Sequence, residues 1–172
     1  MAQRYLTREN GKTKLKQAIV KSKGAQDAGK VPGLNSAGRF DESFMPPGIG
    51  AQVVTITASE NLTAGKFVNF FADAGELKAR LADNSNGRAA NGYVKESADA
   101  DTLAMVYPLD GVNSELSGLQ VGQDYWLGTA GGVIETPLDE NDDGNANFIS
   151  QQLGKAKTAT ELITDDFGYV IL

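Results

Sequence analysis

The chain has 172 residues, of which 41% are hydrophobic, so it can bury a core and is expected to form one domain with at most an appendage. It contains no cysteine and no histidine, which excludes disulfides, thiolate metal sites and Ser-His-Asp catalysis. No apolar run reaches the length of about 18 residues that a membrane span needs, and no signal peptide is recognisable at the start. Catalysis would have to rely on carboxylates alone, and we do not expect an enzyme.

The net charge of −6 is distributed unevenly along the sequence. Residues 1–50 carry nine Lys and Arg against four Asp and Glu, whereas residues 51–172 carry seven against eighteen. A basic segment on an acidic body is typical of an interacting end, although a solubilising terminus has the same composition. The basic residues of the first 23 positions are the candidate partner contacts: Arg4, Arg8, Lys12, Lys14, Lys16, Lys21 and Lys23.

The first predicted element is a β-hairpin within residues 4–20, "RYLTRENGKTKLKQAIV". Asn10-Gly11 is a favoured pair for a type I′ turn, because both central residues of that turn have positive φ. Alternation after the turn puts Leu15 and its alternate neighbours on one side and three lysines on the other. A ribbon of two strands is marginal by itself in water, so we expect it to form against another surface.

Residues 22–52 are predicted to be an extended linker, because Gly and Pro recur and apolar residues are isolated. An irregular segment of this length is unusual inside a compact domain. We expect it to lie along a surface, held by its apolar side chains, with Phe40, Phe44 and Met45 as the main anchors. The Pro-Pro-Gly-Ile-Gly run at 46–50 can neither continue a helix nor lie in a central strand, so it is predicted to be a joint.

Beyond this joint the pattern is that of short β-strands. Predicted strands cover 52–58, 65–72, 75–82, 93–97, 101–109, a hairpin over 123–137, two strands within 145–163, and 168–172. Strands at this spacing without amphipathic helices indicate a sandwich or a barrel. The fold class is therefore all-β, with a small antiparallel sandwich or barrel-like body preceded by an extended N-terminal arm that contains a short β-hairpin. The predicted domains are a basic arm and linker over 1–50 and an acidic β-rich body over 51–172.

The best candidate for a metal site is the acidic loop "DENDDGN". Asp139, Asn141, Asp143 and Gly144 fit the opening of an EF-hand-type calcium loop. However, Ser150 occupies the position of the bidentate glutamate, and the flanking segments are predicted strands. An acidic hairpin loop is the favoured interpretation, and no glycine-rich phosphate loop is present. We therefore predict no catalytic residue, no metal, no cofactor and no small-molecule substrate.

Residues 24–50, "GAQDAGKVPGLNSAGRFDESFMPPGIG", resemble a segment of tailed-bacteriophage structural proteins in which a "DAGKI-x-x-L-x-x-x-G-x-LD-x-S-x-x-P-x-G-I-G" run precedes a small β-domain. The matching positions are Asp27-Ala28-Gly29-Lys30, Leu34, Gly38, Asp41, Ser43 and Pro47-Gly48-Ile49-Gly50. Phe40 replaces the usual Leu, and two prolines stand where one is typical. Later stretches such as "ASENLTAGKFVN", where Lys66 replaces an acid, "ANGYV" and "LGKAKTATELI" extend the resemblance over almost the whole sequence.

The resemblance implies a capsid decoration or head-fibre-like protein on the outer surface of the phage head, made in the host cytoplasm. Its implied partners are the lattice of the major capsid protein and further copies of itself, as a homotrimer that stabilises or adorns the capsid. Neither a membrane nor nucleic acid is expected as a partner, since the body is acidic and Tyr5 is the only aromatic residue among the first 23 positions. The basic residues above, with Phe40, Phe44 and Met45, would form the contact to the capsid.

The same kind of β-domain also occurs in phage tail and fibre components, so a second function stays open. A tail or baseplate protein would recognise a host glycan through its body. Tyr125, Trp126 and the loops at 83–92 and 139–147 are the candidates for that role. Alternation along the strand turns one of the two rings inward, and core packing is the simpler explanation for that ring.

Overall fold

The structure is a computed structural model that describes residues 3–36, 38–45 and 53–172. The chain divides into two compact units, Met1–Gly50 and Ala51–Leu172. The fold is nearly all β, with antiparallel sheets and a small closed barrel, which confirms the predicted fold class. Helical residues of the described ranges lie in short 3₁₀ turns at Gly24–Asp27, Glu42–Phe44, Asn84–Asn86 and Asp143–Asn145. None of the described helices is long and apolar enough to cross a membrane.

The described residues form fourteen strands, with a long interval between the second and the third. They are β1 (Arg4–Glu9), β2 (Lys12–Gln17), β3 (Val54–Ala58), β4 (Phe67–Asp73), β5 (Glu76–Leu81), β6 (Gly92–Val94), β7 (Leu103–Tyr107), β8 (Val112–Asn113), β9 (Asp124–Leu127), β10 (Val133–Ile134), β11 (Ile149–Ser150), β12 (Gln152–Ala156), β13 (Leu162–Thr164) and β14 (Val170–Ile171). Most predicted strands of the body reappear with shifted ends. The two-residue strand β8 was not predicted, and the three strands β11, β12 and β13 stand where two were predicted.

In the first unit, β1 and β2 form the predicted hairpin, with Glu9 opposite Lys12. Asn10 has a φ of 50° and Gly11 a φ of 77°, so both turn residues are left-handed as a type I′ turn requires. The two-residue turn fixes the register of the whole ribbon. The prediction from the Asn-Gly pair is confirmed.

The segment after the hairpin folds back onto the hairpin's base. The amide of Ile19 donates to the carbonyl of Val31 (3.0 Å), and the amide of Gly33 donates to the carbonyl of Ile19 (2.7 Å). Gln3 accepts a hydrogen bond from the amide of Leu34 (3.2 Å) through its side-chain oxygen. The described part of the predicted linker is therefore less extended than expected, because its backbone groups pair with the residues that flank the hairpin.

In the second unit, strands β3, β5, β4, β6 and β7 close into a barrel in that order. All neighbours are antiparallel except β3 and β5, which run parallel. Small inward side chains, including Ala58, Ala79 and Ala104, are buried beside Ile56 and Val106. Small residues suit the narrow interior of a five-stranded barrel, where bulky side chains from all strands would collide.

A second sheet runs in the order β10, β9, β12, β13, β8, and a small sheet pairs β11 with β14. A second core cluster joins this sheet to the barrel, with Phe67, Tyr93 and Tyr107 from the barrel and Leu127 and Leu153 from the sheet. The rings of Tyr93 and Tyr107 stack at 5.7 Å. Burial of these large side chains stabilises the folded second unit.

One strand of the barrel departs from the expected pattern. In β5, Leu77, Ala79 and Leu81 alternate with charged residues, a pattern typical of a strand with one buried face. Ala79 is buried, but Leu77 is 57% exposed. Leu77 pairs with Ala72 next to the tight turn that joins β4 to β5, where the hairpin extends beyond the barrel core.

Candidate functional site

The hairpin presents two chemically different faces. Since directly paired residues of an antiparallel ribbon point to the same side, Leu6 and Leu15 lie together on one face, with Arg4 and Arg8 next to them along β1. Leu6 is 70% exposed and Leu15 59% exposed. This basic-apolar face, defined by these four residues, combines an exposed leucine pair with two guanidinium groups.

The opposite face carries the lysines of β2. Lys14 and Lys16 both form ion pairs with Glu9, the pair with Lys14 at 3.1 Å. These groups are exposed, and exposed ion pairs contribute little to stability. Lys12 lies opposite Glu9 across the turn. The predicted basic contacts are therefore split between two faces, and the lysine face is partly neutralised.

Lys21 and Lys23 follow the hairpin at the start of the 3₁₀ turn Gly24–Asp27. The amide of Lys23 donates to the carboxylate of Asp27 (2.6 Å), and Lys30 forms an ion pair with that carboxylate (2.5 Å). The hydrogen bond from Lys30, with that from the amide of Lys23, lowers the pKa of Asp27. The structure thus separates these two lysines from the hairpin strands and places them beside a capped turn.

The predicted apolar anchors cluster at a second 3₁₀ turn, Glu42–Phe44. The rings of Phe40 and Phe44 meet edge to face, with centroids 6.3 Å apart. Phe40 is 50% exposed and Met45 is 45% exposed, whereas Phe44 is half-buried. Asp41 holds the turn by accepting from the amide of Ser43 (3.0 Å). Phe40 and Phe44 are therefore in contact, and Phe40 and Met45 still expose apolar surface. The predicted joint at 46–50 lies outside the described residues.

A groove of about 480 Å³ lies where the returning segment meets the base of the hairpin. Its lining mixes apolar and amide side chains: Gln3, Gln17, Ala18, Val20, Leu34, Asn35 and Ser36. The groove belongs to the first unit, and its exposed side chains Val20 and Leu34 add to the apolar surface of that unit.

The body loops proposed for glycan recognition are held by internal hydrogen bonds. In the loop at 83–92, the side-chain amide of Asn84 donates to the carbonyl of Leu127 (2.9 Å). Gln151, which is buried, accepts from the amide of Ala90 (2.7 Å) and donates to its carbonyl (3.0 Å). Polar groups used in this way are not available to a saccharide.

The pair at 125–126 behaves as alternation predicts. Tyr125 is buried in the second core cluster, and its hydroxyl accepts from the amide of Gln120 (2.9 Å). Trp126 faces the other way, half-buried between its cross-strand partners Ile134 and Gln152. Of the two rings proposed as a stacking platform, Trp126 alone faces away from this core cluster.

Several polar groups of the acidic loop over 139–147 form hydrogen bonds within the loop. A carboxylate oxygen of Asp139 accepts from the backbone (2.9 Å) and side-chain (3.1 Å) nitrogens of Asn141, and these bonds lower its pKa. The carbonyl of Asp139 accepts from Asn145 (2.9 Å), and Asp142 accepts from the amide of Gly144 (2.9 Å). Among the described residues, no group of three Asp, Glu, His or Cys side chains is placed to hold a metal ion.

Asp83 is the carboxylate that ties two loops of the body together. It accepts from the amide of Ala130 (2.9 Å) and from the amide (2.9 Å) and hydroxyl (2.7 Å) of Ser85. Burial opposes its ionisation, but these hydrogen bonds outweigh burial and keep the pKa of Asp83 below its ordinary value. The ionised form is therefore stabilised in the folded state.

This linkage predicts how acid affects the body. Because the folded-state pKa of Asp83 is depressed, its contribution is complete above the unfolded-state pKa of about 4 and is lost as the pH falls through the folded value. We expect Asp83→Asn to have a lower free energy of unfolding than wild type at pH 7, and we expect this difference to shrink in acid. Urea melts at several pH values measure this, with Asp110→Asn as an exposed control, and an unchanged difference at all pH values would contradict it.

The C-terminal segment is the most exposed apolar part of the body. All seven residues from Asp165 to Ile171 are exposed, and they include Phe167, Tyr169 and Val170. Within the described residues β14 pairs with β11 in a two-stranded sheet. Sequence reasoning identified this strand but not its exposure.

Comparison with known proteins adds little to this geometry. No protein-family model matches the sequence, and the search of curated proteins found no match. A solved structure described as the head fibre gp8.5 N base of bacteriophage phi29 is similar over 66% of this chain and 92% of its own, with a TM-score of 0.43 and 16% sequence identity. A TM-score of 0.43 does not establish a common fold.

The pairing of the two exposed leucines was not predicted from the sequence. The Asn-Gly turn fixes the register, and that register places Leu6 opposite Leu15. Counting outward from the turn along both strands would have found the pair. All seven basic residues were predicted as one set because only their charge was considered. The ribbon places Arg4 and Arg8 on one face and the lysines of β2 on the other.

Proposed function

We propose that this protein is a non-enzymatic structural protein of a tailed-phage virion, a capsid decoration protein that docks on the assembled head through its first unit. The observation that carries the proposal is the composition of that unit's surface. Among its described residues no hydrophobic side chain is buried, whereas Leu6, Leu15, Phe40 and Met45 are all exposed. A segment that buries so little of its own apolar surface is suited to bury it against a partner.

The charge of the first unit defines the chemistry of the partner. Nine basic residues against four acidic ones favour an acidic surface, and the exposed leucine pair and aromatic cluster favour a protein over nucleic acid. Phosphates would neutralise Arg4 and Arg8 but would leave Leu6 and Leu15 without apolar contacts. The resemblance of residues 24–50 to phage structural proteins supports the capsid lattice as that surface.

A lattice makes modest contacts effective. Many identical sites lie close together on a capsid, so weak docking by each arm of an oligomer becomes strong through effective concentration. The proposed homotrimer would present three arms. The exposed apolar strand β14 and the residues before it are the surface of the body best suited to contact another copy, because an unprotected apolar edge readily pairs with a second polypeptide.

The number of copies in purified virions tests the proposal. A decoration protein is expected in hundreds of copies per particle, whereas a tail or baseplate protein is present in a handful. Quantitative mass spectrometry against the major capsid protein measures the ratio, and immunogold labelling locates the protein. Tail labelling with a few copies would support the glycan-recognising alternative, and absence from the virion would overturn the proposal.

A further inference from the structure

The sequence contains three Asn-Gly pairs, at 10–11, 86–87 and 91–92, and the structure places them in very different settings. Asparagine followed by glycine is the dipeptide most prone to spontaneous deamidation, because glycine offers no side chain to hinder attack by its own nitrogen. We propose that Asn10 is a site of spontaneous deamidation in the folded protein, and that its conversion inactivates the hairpin as a docking element. The second part rests on the proposed function.

The reaction needs only water. The backbone nitrogen of Gly11 attacks Cγ of Asn10, a new N–Cγ bond forms, and the bond between Cγ and Nδ2 of Asn10 breaks. The amide proton of Gly11 leaves with the departing nitrogen as ammonia, which produces a cyclic imide. Water then opens the ring at one of its two carbonyls, giving aspartate or isoaspartate at position 10.

Ring closure requires the backbone at the asparagine to leave its turn conformation, so the rate depends on how easily each site opens. Asn10 is exposed at the tip of a ribbon of two strands, and all six residues of β2 are exposed. No atom outside its sequence neighbours lies within 4 Å of the position that a Cβ of Gly11 would occupy. A hairpin of this size is marginally stable, and opening its tip therefore costs little free energy.

Asn91 is exposed, but its side chain and its backbone amide are hydrogen-bonded to the barrel. Its side-chain oxygen accepts from the amide of Phe70 (2.8 Å) and from the side chain of Asn69 (3.3 Å). Gly92 is buried in β6, where a Cβ would lie 2.5 Å from the carbonyl oxygen of Tyr107. Ring closure at Asn91 therefore requires local unfolding of the barrel around β6.

Asn86 is exposed, but the backbone on both sides of it is fixed. Asp83 and Arg88 exchange two backbone hydrogen bonds, of 2.8 and 3.1 Å, which close the loop around Asn86-Gly87. Asn84 in the same turn is buried and bonded to Leu127. Exposure alone would rank Asn86 and Asn91 with Asn10, whereas the cost of local opening separates them.

Conversion at position 10 changes both the charge and the shape of the hairpin. A new carboxylate beside Glu9 and Lys12 lowers the positive charge of the tip. Isoaspartate also adds a backbone atom to a two-residue turn that permits no extra length, so the register that pairs Leu6 with Leu15 cannot be kept. The basic-apolar face therefore breaks up.

Timed incubation of the full-length protein tests the modification site. The protein is held at mildly alkaline pH, with and without denaturing urea, and digested for peptide mass mapping. In the folded protein the Asn10 peptide is expected to convert roughly tenfold or more faster than the Asn86 and Asn91 peptides, whereas in urea the three rates converge. Equal rates in the folded protein, or conversion of Asn10 in urea only, would overturn the assignment.

The matched control is Asn10→Gly, because Gly-Gly also supports a type I′ turn and has no side-chain amide to cyclise. Fresh wild type and fresh Asn10→Gly are expected to bind purified phage heads equally, and after incubation the wild type alone loses binding. Full binding by wild type that carries isoaspartate would refute the effect on docking. If neither fresh protein binds heads, the proposed function fails, while the measured conversion rates still decide the modification site.

Discussion

Replacing Phe44 and Met45 together with serine is expected to weaken binding to phage heads by roughly tenfold or more while leaving the melting of the body unchanged. Each side chain is partly exposed in the free protein and would be buried on docking. Burying a side chain of this size contributes about 1.5–3 kcal/mol, and about 1.4 kcal/mol corresponds to a tenfold change in affinity. Co-sedimentation with purified heads measures the binding.

The control for this double variant is Val121→Ser, which removes a highly exposed apolar side chain from the body instead. It should bind heads as wild type does. Thermal melting followed by near-ultraviolet circular dichroism reports on Tyr125, Trp126 and the other aromatic residues of the body. If the Phe44 and Met45 variant instead lowers the melting temperature of the body, these side chains belong to its core and the proposed docking role is wrong.

Replacing Gly154 with alanine is expected to unfold the body or to destabilise it by more than about 3 kcal/mol. Gly154 lies at the irregularity where β12 pairs with both β9 and β13, and its φ is 152°. An added Cβ would overlap the carbonyl oxygen of Ile163 and lie 3.0 Å from the Cα of Thr164. Both of these atoms belong to the backbone of β13, which pairs with β12 in the five-stranded sheet. Removing the overlap would require β12 and β13 to separate.

A matched variant separates this steric effect from the loss of glycine itself. Gly118 also has a positive φ, of 74°, but an added Cβ would meet nothing within 4 Å. Gly118→Ala should therefore cost only about 1 kcal/mol, the strain of a left-handed alanine. Urea unfolding measures both variants. Equal destabilisation would show that the contact with the strand of Ile163 does not control stability.

Local patterns predicted the local parts of this fold. The Asn10-Gly11 pair was sufficient for the first hairpin, since turn type and register both follow from it. Alternation located most strands of the body and predicted that one ring of the Tyr125-Trp126 pair would turn inward, without indicating which one. The sequence could not decide whether the body is a sandwich or a barrel. That difference depends on the pairing of β3 with β5, two strands that are not consecutive in the sequence.

The candidate site was predictable in its residues but less so in its arrangement. The basic contacts were predicted from the charge of the N-terminal segment. Phe40, Phe44 and Met45 were predicted as anchors because they are apolar residues isolated in a Gly- and Pro-containing segment. The return of the segment around Gly33 to Ile19 depends on backbone hydrogen bonds between positions far apart in the sequence, and no local pattern signals such bonds. The same reason explains why the loop at 83–92 could be proposed for glycan binding, although Gln151 and Leu127 occupy its polar groups.

The body's buried polar side chains are all neutral among the described residues: Asn69, Asn84, Asn113, Gln151 and Thr164. Neutral amides and hydroxyls keep their hydrogen bonds whatever the ionic strength. The proposed attachment, by contrast, combines apolar contacts with arginine and lysine contacts at an exposed surface, and added salt screens the charged part. Ionic strength is therefore expected to affect the proposed attachment to the capsid more than it affects the stability of the body. A shift in salinity could release such a protein from its particle in an intact, folded form that is ready to bind again.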